Sequence, residues 1–288
     1  MSEKRLAVVT GGMGGLGESI TTKMADAGYR VVVTYSPSNT KWKSWLENMK
    51  QQGYGFSAYP VDVADFDDSE LKCAQMAKEC GPIDILVNNA GITRDMTFKK
   101  MSKADWDAVM RTNLDSCFNM TKQVMDGMSD RGWGRVINVS SVNGQKGAFG
   151  QTNYSAAKAG IVSLTMGAAQ LLLKYGVTAN VFVPRARTRM TDTGPVAAMF
   201  AKPEEGFDAF APENTSPLIG YLASPRAGRV SGHVFVVWNR EVKVVSRPGY
   251  EEIFESDAQW NTDSLHDALG PFFEKREPVT DGYTVPAM

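Results

Sequence analysis

Histidine and cysteine are scarce in this chain, and their scarcity excludes several kinds of site. Of 288 residues, two are histidine and three are cysteine. A Ser-His-Asp hydrolase or a histidine-ligated metal centre would need His233 or His266, which fall in a strand-like run and in a polar tail. Three cysteines without paired spacing argue against a disulfide framework. We therefore expect no metal site and reduced thiols, as in a cytoplasmic protein.

The chain also lacks an excess of positive charge and long apolar runs. Its 31 basic and 32 acidic residues give a net charge of −1, whereas nucleic-acid-binding proteins usually carry a strong basic excess. No uninterrupted apolar run approaches the ~20 residues that span a bilayer, and the run at 6–9 is too short for a secretory signal. We therefore expect neither a nucleic acid nor a membrane as partner.

Short β-branched runs alternate with longer helical patterns along the chain. This order predicts a doubly wound, Rossmann-like α/β fold, in which a parallel sheet is covered by helices on both faces. The predicted strands are 6–10, 31–34, 55–60, 83–88, 135–139, 177–182 and 233–238. The predicted helices are 18–27, 41–52, 69–79, 103–128, 153–175 and 213–223. We expect one domain over residues 1–245 and a C-terminal extension over 246–288, which is rich in charge, proline and isolated aromatic residues.

A glycine-rich turn follows the first predicted strand. Residues 10–17 read TGGMGGLG and lead into a predicted helix. Glycines let the backbone approach a pyrophosphate, and the helix N-terminus offers free N–H groups to the anion. The turn predicts a dinucleotide site that includes Gly11, Gly14, Gly15, Leu16 and Gly17.

The end of the second predicted strand lacks the acidic residue that usually binds the ribose 2′-hydroxyl of NAD. No Asp or Glu occurs between Arg30 and Trp45, and Ser36, Lys41 and Lys43 occupy this stretch instead. A missing carboxylate removes repulsion against a 2′-phosphate, and a lysine adds attraction. We therefore predict NADP(H) as cofactor, with Ser36 and Lys41 among its contacts. The alternative is that both lysines are solvated residues of a helix face.

A serine, a tyrosine and a lysine further on have a spacing suited to acid catalysis. Ser141 precedes Tyr154 by 13 residues, and Lys158 follows Tyr154 by four. Positions four apart share a helix face, so the Lys158 ammonium can lie beside the phenol and lower the pKa of Tyr154 from about 10. Tyr154 would then be a general acid near neutral pH, while Ser141 hydrogen-bonds the substrate carbonyl.

In this order the motifs resemble the short-chain dehydrogenase/reductase family. The resemblance rests on the glycine-rich turn, on residues 88–91 (NNAG), and on Asn113, Ser141, Tyr154 and Lys158. It implies that Asn113 holds a water of a proton relay behind Lys158. It also implies a homotetramer or homodimer built through the long helices that carry Asn113 and Tyr154. Further cofactor contacts implied by the resemblance are Asp62, Val63, Asn89, Ala90, Gly91, Tyr154, Lys158 and Pro184.

The two ends of the chain resemble different branches of that family. Residues 91–95 (GITRD), 130–135 (DRGWGR) and 140–147 (SSVNGQKG) resemble the NADPH-dependent acetoacetyl-CoA reductases of polyhydroxybutyrate synthesis, which make (R)-3-hydroxyacyl-CoA. After Asn180 the family's usual Pro-Gly is replaced by Pro184-Arg185. From there the chain resembles the 3-hydroxyacyl-CoA dehydrogenase unit of multifunctional β-oxidation enzymes, as in a natural mosaic or a constructed hybrid. Both branches imply an acyl-CoA substrate.

Substrate contacts are predicted at Asp95, Phe149, Gln151 and Arg185. Phe149 and Gln151 lie where the acetoacetyl-CoA reductases contact substrate, and core packing is an equal alternative for Phe149. Arg185 begins a predicted lid at 185–212. This arginine, together with Arg187 and Arg189, would neutralise phosphates through bidentate contacts, or the three would form a solvated basic loop. The apolar residues of the lid, which would line an acyl chain, are Met190, Met199 and Phe200.

Three other functions remain open at this point. A 3-oxoacyl-[acyl-carrier-protein] reductase and an NAD-dependent 3-hydroxyacyl-CoA dehydrogenase would use the same residues. A catalytically silent member of the family, acting as a scaffold, would usually lack the tyrosine or the lysine. Because Tyr154 and Lys158 are both present, the sequence favours an enzyme.

Overall fold

One mostly parallel sheet organises the chain in a computed structural model that describes residues 4–188, 191 and 197–276, apart from the side chain of Met199. Within these residues the strands are β1 Leu6–Val9, β2 Arg30–Tyr35, β3 Ser57–Pro60, β4 Ile83–Asn88, β5 Gly134–Val139, β6 Val177–Pro184, β7 Val234–Trp238 and β8 Glu241–Val244. They form an eight-stranded sheet in the order β3-β2-β1-β4-β5-β6-β7-β8. Every neighbouring pair is parallel except β7 and β8. The predicted doubly wound fold is confirmed.

Helices connect the strands and cover the sheet. They are α1 Leu16–Asp26, α2 Trp42–Gln51, α3 Phe66–Cys80, α4 Lys103–Met110, α5 Ser116–Asp130, α6 Asn143–Lys146, α7 Thr152–Leu172, α8 Ser216–Ala223 and α9 Thr262–Phe273. Side-chain caps start three of them, since Asp65 accepts the N–H of Asp68, Ser102 accepts that of Asp105, and Asn261 accepts that of Ser264. The predicted helix over 103–128 is divided into α4 and α5 by a π-helical turn at Arg111–Asp115.

The two faces of the sheet carry separate apolar cores. On one face Ile20 of α1 is fully buried against the strands, and on the other Met76 of α3 and Met120 of α5 are fully buried. Successive strand residues point to opposite faces, so Val9 belongs to the first core and Val8 to the second. Each such side chain contributes roughly 1.5–3 kcal/mol when buried. This double coverage explains why the strands read as uninterrupted apolar runs.

Helix α7 has an apolar character that the sheet accounts for. The segment Thr152–Tyr175 is long and apolar enough to cross a membrane by length and composition. In this fold it packs against β6, α4 and α6. Ala157, Ile161 and Leu172 are buried in that contact. These three residues of α7 are therefore part of the core of the domain, whereas Leu171 of the same helix is exposed.

The residues after β8 form an extension that packs mainly on itself. Phe254 meets Phe272 edge to face with 5.3 Å between ring centroids, and Arg276 pairs with Glu251 at 2.7 Å. Helix α9, which the structure describes in full, has no buried residue, and Tyr250 is 90% exposed. The predicted domain boundary at 245 lies one residue after β8 and stays a prediction.

The carboxyl ends of the parallel strands meet at one edge of the sheet. The glycine-rich turn follows β1, Asn89 follows β4, Ser140 and Ser141 follow β5, and Pro184 ends β6. The strand order reverses between β1 and β4. Ligands of open α/β sheets bind in the crevice at such a switch point, so the fold brings the predicted motifs to the place where a ligand is expected.

Candidate active site

The glycine-rich turn is tightly folded against the end of β4. Gly11 and Gly15 have φ angles of +61° and +49°, which favour glycine. A Cβ on Gly17, in the first turn of α1, would collide with the carbonyl oxygen of Gly11. Thr188 lies over the turn, 3.6 Å from where a Cβ of Gly15 would be. The turn thus leaves its backbone and the N-terminus of α1 available at the sheet edge, as a phosphate site requires.

Hydrogen bonds fix the ends of β1 and β4 to each other. The Thr10 hydroxyl accepts the N–H groups of Asn89 at 2.9 Å and of Ala90 at 3.0 Å. The Asn89 amide donates to the carbonyl oxygens of Thr10 at 3.0 Å and of Gly11 at 3.1 Å. A Cβ on Gly91 would collide with Oδ1 of Asn113. The predicted cofactor residues of β4 therefore form the floor of the crevice beside the turn.

The residues predicted to contact the ribose of the cofactor follow β2, at the same edge of the sheet as the glycine-rich turn. The N–H of Gly12 donates to the Thr34 carbonyl at 3.2 Å and holds the turn to β2. Ser36 is exposed, with its hydroxyl 2.9 Å from that of Ser38. Lys41 is exposed immediately before α2. Polar and basic groups without a carboxylate therefore stand at the end of β2.

Asp62 and Val63 follow β3 at this edge. Val63 is buried, and its carbonyl accepts the Asn119 amide of α5 at 3.0 Å. Asp62 is exposed, and its N–H donates to the Asp68 carboxylate at 2.7 Å. The two residues are thus joined to α3 and α5 at the end of β3.

Ser141, Tyr154 and Lys158 are brought together beside the crevice. Ser141 lies beside the Tyr154 phenol, close enough to lower the pKa of that group. The Lys158 Nζ, one helical turn beyond Tyr154, lies 5.6 Å from the centroid of its ring. This Nζ is buried and donates to the Val139 carbonyl of β5 at 2.9 Å. The spacing read from the sequence therefore produces the predicted cluster.

Burial controls the protonation of this cluster. Burial raises the pKa of Tyr154 above its usual value, the Ser141 hydrogen bond opposes the rise, and the Asp95 carboxylate adds to it. Burial likewise lowers the pKa of Lys158 to about 8. The prediction that Tyr154 has a lowered pKa was wrong for this structure, because the loss of solvent around the phenolate outweighs its favourable contacts. A raised pKa keeps Tyr154 in the protonated form that donates.

Asn113 lies in the π-helical turn between α4 and α5. Its amide donates to the carbonyls of Ile92 and Val109, both at 2.9 Å. Its buried Oδ1 has no hydrogen-bond partner among the described residues. Asn113 and the Lys158 Nζ both border Gly91, within 3.6 Å of the position of a Cβ there. A π turn at a functional site is a recurring feature, and this one brings an unsatisfied acceptor close to Lys158.

The predicted substrate residues Asp95 and Gln151 are joined to each other. The Gln151 amide donates to the Asp95 carboxylate at 2.8 Å, and its carbonyl oxygen accepts the Asn143 amide at 2.7 Å. Phe149 is 94% exposed, so core packing is wrong for this residue. Its surface position follows from Gly147 and Gly150, whose φ angles of +69° and +76° carry the loop away from the core.

The arginines of the predicted lid have different surroundings. The Arg185 N–H pairs with the Val237 carbonyl at 2.9 Å, and its guanidinium lies 5.1 Å above the Trp238 ring. Burial lowers the pKa of Arg185. Arg187 instead forms an ion pair with Asp208 and donates to the Phe200 carbonyl at 2.9 Å. A phosphate-binding role is therefore less suited to Arg187 than to Arg185.

Of the predicted apolar residues of the lid, the structure describes Phe200 in full. Arg189, Met190 and the side chain of Met199 lie outside the described residues. Phe200 packs on Phe210 with 4.6 Å between ring centroids, which places one of the predicted apolar residues in an aromatic cluster at the base of the lid.

Two residues of this site were not selected from the sequence. Asn143 stands two positions after Ser141 and binds Gln151, and Thr188 covers the glycine-rich turn. The proximity of Asn143 to Ser141 was a usable signal. Nothing in the sequence pattern distinguishes Thr188 from other lid residues.

Known proteins resemble this chain at several levels. The family model for short chain dehydrogenases matches residues 5–195. Acetoacetyl-CoA reductase of Cupriavidus necator is 54% identical over 181 residues, which cover 63% of this chain and 74% of the relative. Hydroxyacyl-CoA dehydrogenase ChsB1 of Mycobacterium tuberculosis is 38% identical over an alignment of 288 residues, which covers 95% of this chain and 90% of the relative. A crystal structure of a short chain dehydrogenase from Mycobacterium avium matches with a TM-score of 0.82 and 33% sequence identity. The match covers 95% of this chain and 96% of the chain in that structure.

These relatives differ in how much of the chain they match. The reductase is the more similar but matches over less of the length, whereas the dehydrogenase matches over nearly all of it. The C-terminal third therefore has a counterpart in a relative that is similar along the whole chain.

Proposed function

Since this chain belongs to the short-chain dehydrogenase/reductase family, we propose that it reduces the 3-keto group of a 3-ketoacyl-CoA, of the acetoacetyl-CoA type, to the (R)-3-hydroxyacyl-CoA with NADPH. Members of this family are oxidoreductases that use a nicotinamide cofactor. The observation that carries the proposal is the cluster of Ser141, Tyr154 and Lys158 beside the glycine-rich turn. Relatives that are 51–54% identical over part of the chain and are acetoacetyl-CoA reductases support the substrate.

The residues present fit a bound dinucleotide. The missing Cβ of Gly17 lets the start of α1 pack closely on the Gly11 carbonyl, which is the close helix packing that the last glycine of a dinucleotide-binding turn permits. The contacts we propose for the cofactor are Gly11, Gly14, Gly15, Leu16, Gly17, Ser36, Lys41, Asp62, Val63, Asn89, Ala90, Gly91, Tyr154, Lys158 and Pro184. When bound, the reduced nicotinamide supplies the hydride that reduces the carbonyl carbon.

The protein side chains manage the proton and the developing negative charge. Tyr154 donates its proton to the keto oxygen, and its raised pKa keeps that proton available. Ser141 hydrogen-bonds the same oxygen. The buried Lys158 ammonium stabilises the phenolate that remains, and the unsatisfied Asn113 acceptor beside Lys158 is the start of a path that returns a proton. We therefore propose Asn113, Ser141, Tyr154 and Lys158 as the catalytic set.

Four residues around the mouth of the site are proposed to bind the substrate. Asp95 and Gln151 lie in one hydrogen-bonded group next to Ser141. The 94% exposed Phe149 offers an apolar surface to the pantetheine or acyl part. Arg185, held against Trp238, is suited to a CoA phosphate.

Cofactor preference is expected to change with one residue at the end of β2. Ser36→Asp places a carboxylate where NAD-binding relatives of this fold have one, so it should repel a 2′-phosphate and bind a ribose 2′-hydroxyl. The ratio of kcat/KM for NADPH to that for NADH should fall by about tenfold or more, since ~1.4 kcal/mol corresponds to a factor of ten. Ser36→Asn is the uncharged control. A parent protein that already uses NADH more efficiently would contradict the argument.

The reverse reaction is a second candidate, favoured by one observation. The relative that matches 95% of this chain is a hydroxyacyl-CoA dehydrogenase. The same residues would then oxidise a 3-hydroxyacyl-CoA, with Tyr154 as the base. Because burial raises the pKa of Tyr154, the phenolate base that oxidation needs forms at higher pH than it would on an exposed tyrosine, so oxidation should gain more than reduction from a rise in pH.

The proposed function is tested by following the absorbance of the reduced nicotinamide. Acetoacetyl-CoA should cause its loss with NADPH, and acetoacetyl-[acyl-carrier-protein] should be used less efficiently. Faster turnover of the carrier-protein thioester would assign the alternative reductase activity. Faster reduction of NAD by 3-hydroxybutyryl-CoA would assign the dehydrogenase. No turnover of any of these substrates would favour a scaffold protein.

Self-association is proposed from the outer surface of the long helices. Phe118 of α5 is 53% exposed and stacks on Phe66 of α3, with 6.2 Å between ring centroids. An open apolar groove beside them is lined by Leu114, Phe118, Gly160 and Leu164, among others. A homodimer or homotetramer would cover this surface, which a monomer exposes to water.

Removal of the extension should affect assembly more than folding. Deleting residues 249–288 removes α9, which buries none of its own residues, and leaves β8 in place. We expect little change in the melting temperature of the core but fewer subunits per particle by light scattering, because exposed aromatic residues of the extension would be buried by a partner surface. An unchanged number of subunits after the deletion would show that the extension takes no part in assembly.

A further inference from the structure

A chain of hydrogen bonds runs across the mouth of the site. The Asn143 Nδ2 donates to the Gln151 Oε1 at 2.7 Å, and the Gln151 Nε2 donates to the Asp95 Oδ2 at 2.8 Å. The loop that carries Asp95 is fixed on both sides, since the Met96 N–H donates to the Gly150 carbonyl at 2.8 Å and the Asn153 amide donates to the Arg94 carbonyl at 3.2 Å. These hydrogen bonds are therefore in place before any substrate binds.

The direction of these hydrogen bonds is determined by chemistry. An ionised carboxylate only accepts, so Gln151 must present its amide nitrogen to Asp95. The Gln151 carbonyl oxygen then faces residue 143, and residue 143 must donate. Asn143 meets this requirement through its amide, whereas an aspartate there would oppose it. Residue 143 therefore determines the orientation of the Gln151 side-chain amide.

Asn143 also acts on Ser141 through its main chain. The Asn143 N–H donates to the Ser141 Oγ at 3.2 Å. That bond uses the oxygen of the hydroxyl as acceptor and leaves its O–H group free to donate toward a carbonyl or toward Tyr154. Asn143 therefore contacts both a proposed catalytic residue and a proposed substrate residue.

We propose that Asn143 is a positioning residue that sets the donor direction of the substrate pocket, by holding Gln151 with its amide nitrogen turned toward Asp95 and toward the substrate. The proposal rests on the proposed function and deepens it. The amide nitrogen of Gln151 carries two protons, and one of them is hydrogen-bonded to Asp95. The other is a donor for the thioester carbonyl of a 3-ketoacyl thioester, whose keto oxygen is held by Ser141 and Tyr154. The pocket then recognises two carbonyls in a 1,3 arrangement rather than an isolated ketone.

The first test reverses the polarity of residue 143. Asn143→Asp keeps size and the main-chain bond to Ser141 but removes the amide donor. The KM for acetoacetyl-CoA should rise by about tenfold or more, the scale for a hydrogen bond to a charged group. The kcat and the KM for NADPH should change by no more than about threefold. Asn48→Asp is the matched control, because Asn48 is exposed and its oxygen accepts from Gln52 as an aspartate would.

The second test restores the hydrogen bonds among residues 95, 151 and 143 with donors and acceptors exchanged. In the double variant D95N/N143D, the residue 95 amide donates to the Gln151 oxygen, and the Gln151 nitrogen donates to the residue 143 carboxylate. The melting temperature should fall by roughly 3 °C for N143D and return in the double variant. Asp95→Asn alone should leave the melting temperature near that of the parent, since its oxygen still accepts. A double variant as unstable as N143D would overturn the proposal.

A pH profile separates this role from a merely structural one. Protonation turns a carboxyl group into a donor, so the raised KM of N143D should return toward the parent value as the pH falls through the carboxyl range. A KM defect of N143D that is independent of pH would contradict the proposal. If the parent protein does not reduce acetoacetyl-CoA, the proposed function fails, and the melting temperatures of the same variants still decide the direction of the hydrogen bonds.

Discussion

Replacing Tyr154 with phenylalanine should lower the turnover of acetoacetyl-CoA by at least ~10²-fold, the usual scale for loss of a general acid. The variant keeps the ring over which the Lys158 Nζ lies, and loses the hydroxyl beside Ser141. Cofactor binding should be largely retained, because Tyr154 is only one of the proposed cofactor contacts and the glycine-rich turn is untouched. Steady-state kinetics and fluorescence titration with NADPH measure the two properties separately.

A tyrosine of the same helical segment provides the control. Tyr175 lies after the end of α7 and is 44% exposed, so Tyr175→Phe should retain the activity of the parent. Near-normal turnover by Tyr154→Phe would refute the assignment of the acid, and loss of NADPH binding would show that the substitution disturbs more than the proton donor.

Replacing Lys158 with methionine should abolish most activity and stabilise the fold near neutral pH. The ammonium is buried, and burial lowers the pKa of Lys158 from 10.5 to about 8. Below pH 8 both folded and unfolded chains carry the charge, and the folded chain bears the full cost of burying it, about 3 kcal/mol. Between about pH 8 and 10.5 the unfolded chain binds more protons, so the stability of the parent rises with pH.

The stabilisation should therefore depend on pH. Urea denaturation should give Lys158→Met a higher free energy of unfolding than the parent at pH 7, and the difference should shrink as the pH rises from about 8 toward 10.5. Lys50→Met, at an exposed position of α2, is the control without a buried charge. A variant that is less stable than the parent at pH 7 would show that the contact with the Val139 carbonyl outweighs the cost of burial.

Much of this architecture was predictable because the local sequence patterns favour the same strands and helices that the fold contains. The uninterrupted apolar strands predict a sheet covered on both faces, and seven of its strands were placed to within about two residues, within the usual spread of boundary assignments. The four-residue spacing of Tyr154 and Lys158 predicts one helix face whatever the tertiary structure. Glycines of the first turn were predicted for the same reason, since their conformation follows from the residue type.

The features that were missed depend on contacts or on environment. Strand β8 alternates charged and apolar residues over only four exposed positions, a pattern too short to identify it, and its pairing with β7 makes it a strand. Helix α9 is set by the Asn261 capping box within a polar region. The ion pair of Arg187 and Asp208 joins residues 21 apart in a lid without a periodic pattern.

The pKa of Tyr154 was misjudged for a related reason. A sequence gives the spacing to Lys158, but it does not give the amount of solvent that the fold removes from the phenol. In the structure the Lys158 Nζ is bonded to the Val139 carbonyl, and burial dominates the pKa of Tyr154. The phenol is therefore better described as a protonated donor than as a stabilised phenolate.

The central claim is that this chain transfers hydride and proton to the 3-keto group of an acyl-CoA, and isotope labelling tests it most directly. The purified protein is given acetoacetyl-CoA and NADPH that carries deuterium at the transferable position of C4. The account predicts one equivalent of NADP⁺ and one of (R)-3-hydroxybutyryl-CoA that carries a single deuterium on C3. It also predicts that Tyr154→Phe forms both products at least ~10²-fold more slowly. Consumption of neither reagent, or a product without deuterium at C3, would contradict it.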